Sequence, residues 1–145
     1  MTNLLLLSHV GATLFMVGLI WFVQIVHYPL FGSVGVEDFR AYAEAHSRLT
    51  TRVVGPPMLL EASTAVLLIF VRPESVPGTL VWTGAVLLAI AWLSTALLQV
   101  PRHTRLGFGF DAETHRFLVL SNWARTIAWS LRGLVVLWMT ARTMS

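Results

Sequence analysis

The sequence predicts an all-α integral membrane bundle of four spanning helices, with an amphipathic interfacial helix between the first and the second. Three observations predict it. Four apolar runs, Leu4–Val26, Val53–Val71, Leu80–Val100 and Phe117–Met139, each approach the ~20 residues an α-helix needs to cross the hydrocarbon core. Only 12% of the chain is charged against 56% hydrophobic, whereas a water-soluble domain carries about 25% charged residues. The strong polar groups also gather at one end. With four crossings, the segments after runs 1 and 3 share a side, and they hold His27, His46, His103 and His115, six of the ten arginines and five of the seven acids.

One domain accounts for residues 1–145, with the interfacial helix at about 37–52 and no room for a second core. The net charge of +3 comes from arginines at the ends of apolar runs, which argues for a lipid bilayer as partner and against nucleic acid. Cysteine is absent, so disulfides and thiolate metal sites are excluded.

Run 1 is longer than the apolar core of a signal peptide and reads as a retained helix. Pro29 disfavours helix at Tyr28 and is expected to close this span. Glu37 and Asp38 suit the positive end of a new helix. From there Phe39, Tyr42, His46, Leu49 and Val53 repeat at helical spacing on one face, and Glu37, Arg40, Glu44 and Arg48 form a solvated one. Gly55-Pro56-Pro57 is expected to kink or restart the helix where run 2 begins. Pro73, Pro77 and Gly78 make a tight turn, and Pro101 follows run 3. The glycine-rich stretch Leu106–Phe110 reads as a loop, after which Asp111 and Glu113 begin the last helix. No internal repeat stands out. By the positive-inside rule the histidine-rich side is expected to be cytoplasmic and both termini outside.

The candidate chemistry lies on polar stripes. In run 4, His115, Asn122, Arg125, Trp129 and Arg132 fall along one face. An arginine at a helix centre costs about 2.5–3.5 kcal/mol to insert, so this face should turn toward the bundle. Glu61 and Arg125 lie at similar distances into runs 2 and 4 and are expected to pair, either as a structural ion pair or as a functional one. Run 1 offers His9, Thr13, Met16, Ile20, Gln24 and His27, and run 3 offers Trp92, Thr95 and Gln99. His9 and Arg132, near the far end, either satisfy one another or snorkel outward.

His27, His46, His103 and His115 are candidate ligands for Zn, Cu or Fe. No H-x-x-x-H or H-E-x-x-H pair enforces ligand geometry. Haem is disfavoured, because no two histidines occupy facing positions in the middle of spans.

Two stretches carry a resemblance. One is Val26-His27-Tyr28-Pro29-Leu30 with Phe39, His46, Arg48 and Val53-Val54-Gly55-Pro56-Pro57-Met58. The other is Ser94-Thr95-Ala96-Leu97-Leu98-Gln99-Val100-Pro101 with His103, Asn122-Trp123-Ala124-Arg125-Thr126 and Arg132. The chain resembles small bacterial four-helix membrane proteins and, more distantly, the anthrone-oxygenase-like membrane family. That resemblance spans about residues 23–135 and implies a four-helix fold and oxygen chemistry.

The expectation is a membrane-embedded enzyme, an oxidoreductase or oxygenase, acting on a small lipophilic substrate at the cytoplasmic end. Glu61 and Arg125 would be its acid/base centre, His27 and His46 would transfer protons, and Asn122 and Gln99 would orient substrate. The alternative is a non-catalytic accessory or assembly subunit whose polar core fixes packing and whose arginine-rich face binds a partner or anionic lipid. A homo-oligomer is compatible with both.

Overall fold

The computed structural model describes residues 2–144 and is helical throughout its regular structure. Its helices are α1 (Thr2–Phe22), α2 (Tyr28–Leu30), α3 (Val36–Val71), α4 (Gly78–Ser94), α5 (Val100–Leu106) and α6 (Ala112–Met144). Among the described residues, three continuous helical stretches are long and apolar enough to cross a membrane: Leu4–Ser33, Val36–Val71 and Gly78–Leu106. The fourth, α6, is 33 residues long but carries Asn122, Arg125 and Arg132 in its middle. The long helices run alternately up and down. α1 packs on α3 and α6, α4 packs on α6, and the seam between α3 and α4 is looser.

The polar stripes face inward as expected. His9, Thr13, Met16, Ile20 and Gln24 on α1 and its continuation are all buried, as are Asn122, Trp129 and Arg132 on α6. Large apolar side chains point outward instead, including Leu14, Phe15, Leu67, Phe70, Val86, Leu93, Leu134 and Trp138.

The prolines do less to break the helices than the sequence suggests. Tyr28 is helical (φ −66°, ψ −43°), so Pro29 does not close the span. A π-helical turn, Val23–His27, precedes it. The widened turn makes room for a pyrrolidine ring that would otherwise clash with the carbonyl four residues earlier. The same device recurs in α4, where the π-turn Thr95–Gln99 leads into Val100-Pro101. Each π-turn ends two residues before its proline, a repetition too sparse to stand out in the sequence.

α3 likewise runs unbroken through Pro56 and Pro57. Residues 37–52 are therefore the first half of one 36-residue helix and not a separate interfacial helix. Its inward stripe is Phe39, Ala43, His46, Met58 and Glu61, whereas Leu49 and Val53 are about half exposed. The apolar repeat had assigned those two to the buried face.

Candidate functional site

Two polar assemblies occupy the core, one above the other. The lower is sealed. Glu61 is fully buried, and its carboxylate accepts from Arg132 Nε (2.7 Å), Thr13 Oγ1 (2.8 Å) and Trp129 Nε1 (3.0 Å). Arg132 also donates to the Gly84 carbonyl and lies 3.2 Å from His9 Nε2. An arginine can only donate, so His9 Nε2 accepts. The proton then sits on Nδ1, which donates to Thr64 Oγ1 at 2.7 Å. His9 and Arg132 thus satisfy one another, the first of the two arrangements anticipated for them.

The partner of Glu61 is therefore Arg132 and not Arg125. The sequence count began run 2 at Val53, where the charges stop. The bundle begins about two turns earlier, because His46 is already buried against Tyr28, Phe31 and His103. Moving the origin to His46 brings Glu61 level with Arg132, two turns beyond Arg125 on α6.

Arg125 belongs to the upper assembly. It donates from Nε to Asn122 Oδ1 (2.9 Å) and from Nη1 to Thr95 Oγ1 (3.3 Å). Its guanidinium lies 5.7 Å from the centroid of the Trp129 ring and beside the Tyr28 hydroxyl. Asn122 is held in turn, donating to Gln24 Oε1 at 2.9 Å, and Gln24 donates to the Val119 carbonyl. Asn122 is fully buried and positions Arg125 from behind.

Above Arg125, Tyr28 Oη and His103 Nε2 are 2.8 Å apart, and His27 Nε2 and His46 Nδ1 are 2.8 Å apart, each pair sharing a proton. The His46 and His103 rings are 5.1 Å apart between centroids. His115 stands away from this group. It donates from Nε2 to the Tyr28 carbonyl (2.8 Å) and stacks on Phe31. Its helix is capped by Asp111, which accepts from the Thr114 amide and hydroxyl. Those bonds, with Arg105 nearby, hold the Asp111 carboxyl below its usual range.

Among the described residues, no group of three or more histidine or carboxylate side chains is arranged to hold a metal ion. The proposed ligand set His27, His46, His103 and His115 is not assembled. His27 and His46 turn nitrogens on each other, His103 turns one on Tyr28, and His115 is engaged by backbone.

A cavity of about 690 Å³ opens beside these groups, within the roughly 300–1,000 Å³ typical of small-molecule sites. Its polar wall carries Tyr28, His46, His103, Thr95, Gln99 and Arg125. Its apolar wall is Met16, Ile20, Val23, Val54 and Met58. Trp129 is the floor: it lines the cavity and spends its indole N–H on Glu61 below. Glu61 is fully buried and is not among the residues that line the cavity. The rim lies between α3 and α5, where Thr51, Val100, Thr104 and Phe108 are exposed.

Of the six candidate catalytic residues, Arg125, His46 and Gln99 line the cavity, His27 buttresses His46, Asn122 holds Arg125, and Glu61 lies sealed beneath. Tyr28 was missed. It lies four residues after Gln24, so the stripe that picked out His27 reaches it equally well.

Compared with known protein families, curated proteins and solved structures, the chain matches none.

Proposed function

We propose that the protein is a membrane-embedded enzyme acting on a small lipophilic substrate in the cavity above Trp129. The observation that carries this reading is Arg125, which has no counter-ion among the described residues and lines a chamber that also exposes the Tyr28–His103 couple. A phenol sharing a proton with an imidazole is a ready acid/base pair. A guanidinium beside it stabilises an oxygen on which negative charge develops. Tyr28 passes a proton to or from the substrate while His103 replaces or takes up the phenolic proton, Arg125 holds the substrate oxygen, and His27 holds the His46 ring at the cavity wall.

Membrane insertion is part of the proposal. The outward face of α6 carries Leu120, Ile127, Leu131 and Leu134, each about half or more exposed. Its strongest polar groups turn inward, so α6 serves as the fourth span. The rim between α3 and α5 admits a substrate from the bilayer side. Oxygen chemistry rests on the family resemblance alone.

The test compares lipid-soluble extracts of cells producing the wild type with those producing Tyr28→Phe and His103→Gln, all at matched protein level and thermal stability. A compound that accumulates with the wild type and falls at least tenfold in both variants supports catalysis. Extracts indistinguishable among the three favour the accessory-subunit reading.

A further inference from the structure

We infer that the ligand of this cavity is a lipophilic monocarboxylic acid bearing a hydrogen-bond donor a few bonds from its carboxylate. This rests on the cavity being a binding pocket and adds its ligand class. Among the described residues, the partners of the Arg125 guanidinium are neutral: Asn122, Thr95, the Trp129 ring and the Tyr28 hydroxyl. The two ion pairs found among the described residues are Arg132–Glu61 and Arg105–Asp111, and neither involves Arg125. At the rim Arg40 and Glu44 bring one charge of each sign. One uncompensated cation therefore remains inside the chamber. Removing such a charge from water is costly unless it is paired, and a planar carboxylate fits the guanidinium fork.

Gln99 supplies the second requirement. Its Nε2 donates to Ser121 Oγ at 3.0 Å, while that hydroxyl donates to the Leu118 carbonyl. This sequence of donors fixes the amide orientation and leaves Oε1 as the free atom. Gln99 is 1% exposed and lines the cavity, and its Oε1 meets no donor. Thr95, which bonds Arg125, and Gln99 are the two ends of one π-turn. A ligand hydroxyl near the carboxylate would satisfy this acceptor. The remaining wall is apolar and receives the tail.

Binding is measured by native mass spectrometry on the full-length protein in phosphatidylcholine nanodiscs, with decanoate, 3-hydroxydecanoate, decanol and decyl phosphate as probes. The hydroxy acid should bind about tenfold tighter than decanoate, the worth of one hydrogen bond to an otherwise orphaned group. Decanol should bind at least tenfold more weakly than decanoate. Arg125→Met should reduce both acids to the level of decanol, and Gln99→Leu should erase only the preference for the hydroxyl. Should Arg125→Met fail to fold, Arg125→Lys, expected to keep the order of acids over alcohol, and the wild-type ranking decide. Decanol binding as well as decanoate overturns the proposal, as does decyl phosphate exceeding both acids. Selective acid binding with unchanged cell extracts in Tyr28→Phe would leave this inference standing and remove the enzyme reading. Loss of product in that variant, without acid selectivity, would do the opposite.

Discussion

Arg132 donates from Nε to Glu61 Oε1 across 2.7 Å, joining α6 to α3 through the core. Both side chains are at most 1% exposed, so neither charge has water to fall back on.

Removing one member of this pair should cost about 3–5 kcal/mol, because the other is left charged in an apolar interior. Removing both should cost less than the sum of the two. Unfolding of Glu61→Gln, Arg132→Met and the double variant in mixed micelles gives the coupling energy. Additive losses would show that the contact carries no energy. Glu61→Gln with Arg125→Met should be closer to additive, since the two charges form no ion pair with each other and are linked only through Trp129.

Gly133 sets how closely α6 approaches α1. A Cβ there would stand 3.1 Å from Val17 Cγ2. Gly133→Ala gains about 0.8–1 kcal/mol of helix propensity against this crowding and should be close to neutral. Gly133→Leu forces the helices apart and should lose about 1–3 kcal/mol. Equal unfolding midpoints for the two variants would show that the approach is not tight.

The histidine end is expected to face the cytoplasm. Ser47→Cys should resist an impermeant thiol reagent in intact cells, whereas Ser75→Cys, in the exposed turn before α4, should react. The reverse pattern would invert the orientation without altering which residues share an end. Two reactive cysteines would argue against a membrane crossing between them.

Much of this architecture was legible in the sequence because inward polar residues repeat at the helical period. His9 to Gln24 on α1 and the π-turn that continues it, and Asn122 to Arg132 on α6, are legible on that basis alone. What failed was the relative height of helices. Height was counted from where charges stop, but on α3 the charged and buried faces overlap for several turns, so Glu61 was matched to the wrong arginine. The prolines misled for a related reason. Pro29 and Pro101 each follow a π-turn that absorbs the effect of the ring, and α3 carries Pro56 and Pro57 without interruption. Four histidines at one end need not aim at one point: His115 is turned aside by the Tyr28 carbonyl.

Trp129 has a consequence for how such a chain can change over generations. Its ring closes off the charges that hold the helices together from the chamber that a small molecule can reach. A substitution at Gln99, His46 or Val54 alters what fits without disturbing Glu61 and Arg132. On the proposed binding role, one inherited scaffold can therefore be retuned from molecule to molecule, with its choice of ligand free to drift while its folding stays under separate control.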